Sequence, residues 1–130
     1  MNHANRRVLI VDDEPALLRM MSVYLGRLGY RATSAGTTEK AWAAVGATPE
    51  DFAVVVIDAS MAGLSMEDLA LRILAANPSV CVIAASGFPV DMSVMEAAAP
   101  GRVMFLHKPF TPEMLAAAVR RMLASQEKEL

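Results

Sequence analysis

The chain has 130 residues, 55% of them apolar and 5% aromatic, with a formal net charge of −2. That length sets one domain, able to bury roughly two-thirds of its unfolded surface in an aliphatic core of Val, Leu, Ile, Ala and Met. The charge balance excludes any general attraction to nucleic acid or anionic membrane, and no run approaches the ~20 apolar residues that span a bilayer.

Met1 to Arg7 is polar and carries no signal-peptide pattern, and Arg6-Arg7 flanks the first strand. Val8-Leu9-Ile10-Val11 is apolar without alternation, the pattern of a strand buried on both faces, and it ends in Asp12, Asp13 and Glu14. Pro15 suits the first turn of a helix in which Leu17, Met21, Tyr24, Leu25 and Leu28 recur at helical spacing, and Gly29 stops it. Tyr30 to Ala35 is short and mildly polar, as an edge strand is. Thr37 or Thr38 caps a second helix through Ala41, a core-facing Trp42 and Val45, ending near Gly46. Val54-Val55-Val56-Ile57 reads as the central strand, and Asp58 sits where the run stops.

Ser65-Met66-Glu67-Asp68 is an N-terminal capping signature for a third helix that buries Leu69, Ile73 and Leu74 and ends at Asn77-Pro78. Val80 to Ala85 is a fourth strand. It holds Cys81, the only cysteine, as a small buried hydrophobe that suits a reducing cytoplasm. After Ser86-Gly87-Phe88-Pro89, the segment Val90 to Ala99 has little apolar face, so its helix should be loosely held. Val103 to Leu106 is the fifth strand, ending at His107-Lys108-Pro109-Phe110. Thr111-Pro112 opens the last helix, with Leu115, Val119, Met122 and Leu123 inward. Residues 125–130 read as a polar tail, leaving a core of about 6–124.

Five strand–helix units without linker or repeat give an α/β fold: a doubly wound parallel sheet with helices on both faces and right-handed crossovers. The flavodoxin-like order 2-1-3-4-5 is the simplest fit to a polar second strand at one edge. In that topology Asp12 and Asp13, Asp58, Ser86 and Lys108 all fall at the same end of the sheet. For Asp58 alone, a helix cap or turn is an ordinary role. Three carboxylates within ~5 Å, however, repel by about 3 kcal/mol per pair at an effective dielectric of about 20, and capping gives no reason to gather them. A hard divalent cation does, because Mg²⁺ prefers carboxylate, water and phosphoryl oxygens. Lys108 supplies a compact charge suited to phosphate, and the Ser86 hydroxyl can donate to a phosphoryl oxygen. Asp58 then reads as a carboxylate nucleophile of the aspartyl-phosphate type, which needs no separate base.

With these residues in place the chain resembles, over essentially its whole length, the receiver domain of two-component response regulators, the CheY-like fold. The resemblance is carried by Val8 to Glu14, Val54 to Asp58, Ser86-Gly87 and Lys108-Pro109-Phe110. It implies one receiver domain over 1–130, in which Asp58 accepts a phosphoryl group from a phosphohistidine of a sensor histidine kinase or a histidine phosphotransfer protein. It implies Mg²⁺ on Asp13, Asp58 and the backbone carbonyl of Ser60, with Asp12 acting mostly through water, and Lys108 and Ser86 as catalytic partners. Acetyl phosphate serves as a small donor in this family, and water at the same site hydrolyses the product.

The resemblance also implies a switch. Ser86 is drawn to the phosphoryl group, Phe105 on the fifth strand turns inward, and the face of the fourth helix, fifth strand and fifth helix changes, a phosphorylation-dependent dimer being one outcome. Phe105 equally fits an ordinary sheet position. The Lys108-Pro109 bond is cis in the family. Ser60 and Phe88 occupy positions that tune phosphoryl lifetime, and bulky Phe88 is expected to hinder the attacking water. His107 is expected as a strand-end side chain. Many receivers have Pro after the Met of the acceptor loop, whereas Met61 is followed here by Ala62, which leaves the loop freer and removes no ligand side chain.

The rival of another class is a phosphatase with an Asp nucleophile, which calls for a second Asp two residues on, where Ser60 stands. A flavin or nucleotide binder needs a Gly- or Ser/Thr-rich phosphate loop after the first strand, and Asp12-Asp13-Glu14 would repel phosphate there. A degenerate receiver kept only for docking would lack one of the four chemical roles, and all four are filled. The expected protein is therefore a cytoplasmic signalling phosphoacceptor rather than an enzyme, with no direct nucleic-acid or membrane binding. A starting Met and polar tail favour a stand-alone regulator; Ser86-Gly87-Phe88 is similar to receivers of hybrid kinases, so a module of a longer chain stays open.

Overall fold

The computed structural model describes residues 6–48 and 51–128. Apolar runs without alternation have no face to give to water, so they pair as the interior of a covered sheet. Five parallel strands do this in the order β2-β1-β3-β4-β5, with β1 at Arg7–Val11, β2 at Arg31–Ala35, β3 at Phe52–Asp58, β4 at Cys81–Ser86 and β5 at Val103–His107. Every residue of β3 and β4 is buried, whereas the edge strand β2 buries only Ala35. The doubly wound order expected from the sequence is the one found.

Helices α1 (Pro15–Arg27), α2 (Thr38–Ala47), α3 (Met66–Ala76), α4 (Ser93–Ala98) and α5 (Pro112–Lys128) cover the two faces. Strand alternation divides the core between them. Leu9, Val55, Ile57 and Val82 meet Ala41, Val45, Leu69, Ile73 and Met95 of α2, α3 and α4. Val8, Ile10, Val54, Val56 and Ile83 meet Met21, Leu25, Leu115, Val119 and Leu123 of α1 and α5. The starts of α2, α3 and α5 are set by hydroxyl caps: Thr37, not Thr38, accepts the Lys40 N–H, Ser65 that of Asp68, and Thr111 that of Met114, each at 3.1 Å. Gly29, with φ of 98°, follows α1 in the left-handed conformation that penalises any Cβ.

Trp42 departs from the core-facing position expected of it. It is 36% exposed, because Ala41 and Val45 already form the inward stripe of α2. Leu28 is exposed as well, since α1 ends at Arg27 and Leu28 falls outside the helical face. The polar residues 125–128 continue α5 instead of forming a tail, while 129–130 lie outside the described residues. Gln126 explains this: its amide donates to the carbonyls of Ala53 (2.7 Å) and Ser79 (2.6 Å), and its Oε1 accepts from Arg6 (2.6 Å). Arg102 similarly ties the start of β5 to the end of α3 through the carbonyls of Val80, Leu74 and Asn77. Helix α4 is the shortest, at 6 residues, and only Met95 of it is fully buried. Among the described residues no helix is long and apolar enough to cross a membrane.

Candidate functional site

Strand register assembles the site. Val11 lies opposite Ile57, so the next residue, Asp12, comes level with Asp58. Asp58 lies opposite Ala85 and Ser86 opposite His107, so all four strands release their polar residues at the C-terminal edge of the sheet. There Asp12, Asp13 and Asp58 each offer a carboxylate oxygen within 4.8 Å of the others. Asp12 is 2% exposed and Asp58 is 4% exposed, while Asp13 is open to solvent.

Each buried carboxylate is held on both oxygens. Asp12 Oδ1 accepts the Glu14 N–H at the start of α1 (2.9 Å), and Oδ2 accepts Lys108 Nζ (2.9 Å). Lys108 Nζ also lies 3.3 Å from Asp58 Oδ1. The Ser60 hydroxyl donates to Asp58, at 3.0 Å from Oδ2, and the Ser60 N–H donates to Oδ1 (3.3 Å). The backbone of Lys108 is fixed by its N–H on the Ser86 carbonyl (2.8 Å), and the Lys108–Pro109 peptide bond is cis.

One ammonium thus faces three carboxylates. Burial pulls the Lys108 pKa down, but the hydrogen bond to Asp12 and its charge, with Asp58 adding to both, outweigh burial and hold it above the ordinary lysine value. The remaining excess of negative charge and an all-oxygen donor set fit a hard divalent cation. It follows that Asp13→Asn should raise the metal-free melting temperature by a few degrees, because it relieves repulsion without touching a packed side chain. Thermal melts in EDTA check this, and a lowered midpoint would contradict it.

The Ser86 hydroxyl is engaged elsewhere. It donates to the Phe88 carbonyl (2.8 Å) and accepts the Phe88 N–H (3.1 Å), which leaves the Phe88 side chain 51% exposed on the same loop. Phe105 is half-buried on β5, edge-on to His107 with ring centroids 6.3 Å apart. It lines a groove of about 590 Å³ with Glu96, Met104 and Arg121. The structure therefore brings Asp12, Asp13, Asp58, Ser60 and Lys108 into one cluster, sets Ser86 and Phe88 on the loop beside it, and places Phe105 along a separate groove. Thr38, which the sequence offered only as an alternative helix cap, belongs beside the site. It is buried, and its Oγ1 accepts the Leu64 N–H at 3.3 Å.

Comparison with known proteins points the same way. The family model described as the response regulator receiver domain matches residues 8–120. The DNA-binding response regulator MtrA of Mycolicibacterium smegmatis is 29% identical over 129 residues, covering 99% of this chain and 55% of its own length. The chain spans about half the length, or less, of the curated relatives it matches. Among solved structures, a CheY-like receiver domain protein from Methanospirillum hungatei JF-1 is 25% identical with a TM-score of 0.82, covering 98% of this chain and 100% of that one. A BeF3-activated DrrB receiver domain is 30% identical with a TM-score of 0.73, covering 92% and 98%.

Proposed function

This chain belongs to the response regulator receiver domain family of two-component systems, and on that premise we propose that Asp58 is its phosphoryl acceptor. The observation that carries this reading is the carboxylate cluster, buried at Asp12 and Asp58, with the Lys108 ammonium against it, Nζ lying 2.9 Å from Asp12 and 3.3 Å from Asp58. A carboxylate oxygen of Asp58 attacks the phosphorus of a phosphohistidine on a sensor kinase or phosphotransfer protein. The P–O bond forms as the P–N bond breaks, and the imidazole leaves with the electron pair. Acetyl phosphate, whose leaving group is acetate, can replace the protein donor. Water later attacks the same phosphorus, the P–O bond to Asp58 breaks, and inorganic phosphate departs to leave the free carboxylate.

Lys108 neutralises charge on the transferring oxygens from a position it already holds. Asp13, Asp58 and the backbone carbonyl of Ser60 would hold Mg²⁺, with Asp12 acting through water. When bound, the ion supplies a divalent charge that offsets both the carboxylates and the phosphoryl oxygens. Ser86 gives up the Phe88 carbonyl for a phosphoryl oxygen, exchanging a neutral hydrogen bond for a stronger charge-assisted one. That exchange frees the loop leading to the short α4. With Phe105 turning inward, it reshapes the α4-β5-α5 face for a downstream protein or a second copy. The setting is cytoplasmic signalling, with no turnover of a separate substrate.

The test is incubation with acetyl phosphate or a phosphohistidine donor, with and without Mg²⁺, followed by borohydride trapping and mass mapping of the acyl phosphate. Label on Asp58 that requires Mg²⁺ is the expected result; no label with any donor and metal, or label on another residue, overturns the reading. Phe88 adds a second prediction. Once Ser86 turns to the phosphoryl group, a large ring two residues along the same loop would screen the site from water, so Phe88→Ala should lose its phosphoryl group several-fold faster. A decay rate equal to that of the unsubstituted protein would refute this role.

A further inference from the structure

The segment from Ala59 to Ser65 carries Ser60, whose carbonyl is one of the proposed metal ligands, yet it contains neither strand nor helix. Its first residues are tied down, Ala59 by its N–H on the Ala85 carbonyl (2.8 Å) and Ser60 by its bonds back to Asp58. Met61 and Leu64 rest on the core, while Ala62 and Gly63 are exposed. Ala62 has no ring to fix its φ as a proline would. A polar contact reaches this outer part of the loop from another element, through the Leu64 N–H on Thr38 Oγ1 at 3.3 Å. Thr38 is the first residue of α2 and is 2% exposed. Thr37 does the capping, so the Thr38 hydroxyl serves the loop instead. Gly63 completes the fit: its φ is 93°, and a Cβ there would lie 2.7 Å from Thr38 Oγ1. Thr37, Met61 and Gly63 line a cavity of about 300 Å³ together with Asp13, so the start of α2 and the loop border one space beside the carboxylate cluster.

We propose that Thr38 is a positioning residue for metal binding: its buried hydroxyl pins Leu64, draws the loop against α2, and keeps the Ser60 carbonyl presented to the carboxylates. This rests on the receiver reading above. A loop held in its binding conformation spends less of its affinity on becoming ordered. Removing a buried acceptor leaves the Leu64 N–H unpaired and returns that ordering cost to the binding step.

Thr38→Val keeps the shape and deletes the acceptor, and Thr38→Ser keeps the hydroxyl. Each is titrated with Mg²⁺ by calorimetry, without any phosphoryl donor, and each is unfolded in EDTA. Mg²⁺ affinity should fall about three- to tenfold in Thr38→Val and stay within about twofold in Thr38→Ser. An unchanged affinity in Thr38→Val, with only a lower stability in EDTA, makes Thr38 a structural residue and overturns the proposal. Should the valine variant not fold, Thr38→Ala read against Thr38→Ser gives the same comparison. If the unsubstituted protein binds no Mg²⁺, or if Asp13→Asn and Asp58→Asn leave its binding unchanged, the Mg²⁺-dependent phosphoacceptor reading fails and takes this proposal with it.

Discussion

Asp58→Asn is expected to abolish Mg²⁺-dependent phosphoryl uptake while leaving the fold standing. Asparagine matches aspartate in shape, and β3 is buried along its whole length, so the substitution adds no volume to a packed strand. Its amide oxygen can still accept from Lys108 and Ser60, the groups that now bond the carboxylate. On the proposed reading, what disappears is the nucleophile, because a neutral amide oxygen does not attack phosphorus, and with it one of the proposed anionic metal ligands. Labelling by acetyl phosphate should therefore drop by more than about a thousandfold, and beryllofluoride, read by fluorine NMR, should form no Mg²⁺-dependent adduct. The metal-free melting temperature should not fall, since three carboxylates facing one ammonium become two. Residual uptake within tenfold of the unsubstituted protein would move the acceptor to Asp12 or Asp13, and a collapse of the melting temperature would give Asp58 a structural role.

The parts of this molecule that were legible in the sequence share a physical cause. Val8 to Val11 and Val54 to Ile57 can only be doubly covered strands, and once five such units alternate with helices, the topology dictates that Asp12, Asp58, Ser86 and Lys108 leave the sheet on one side. The cluster was readable because strand ends are all it needs. Trp42 was not readable, since it neighbours Ala41 on a helix whose inward stripe is made of small residues, and size alone suggested burial. Gln126 and Arg102 are invisible for a different reason. Their partners are backbone carbonyls of Ala53, Ser79, Leu74, Val80 and Asn77, remote in sequence and without any side-chain signature. Thr38 reaches a backbone N–H 26 residues away, and beside Thr37 it reads as one more candidate cap. The Ser86 hydroxyl turning to Phe88 is likewise a matter of loop backbone, which a motif of residue types does not encode.

Lys108→Met should separate the ion-pairing role of the Lys108 ammonium from its proposed role in phosphoryl transfer. Lys108 joins Asp12 across 96 residues of chain, and its side chain is partly shielded from water. Removing a partner from a fully buried ion pair costs about 3–5 kcal/mol, and solvent access at Lys108 reduces this to about 1 kcal/mol, read as a shift in the urea midpoint. The pH dependence has a definite sign. The folded pKa of Lys108 is raised above the ordinary 10.5, so its contribution is fully present below that value and is lost as pH rises through the folded one. The stability difference between the two proteins should therefore hold constant through neutral pH and close only in strongly alkaline solution. Phosphoryl uptake at neutral pH should fall by about 10²–10³-fold, the usual consequence of deleting one preorganised charge-stabilising donor. A stability difference that already closes near neutral pH would contradict the raised pKa. A variant that loses the stability yet keeps the uptake rate would leave Lys108 as a structural counter-ion to Asp12, with no part in the transfer step.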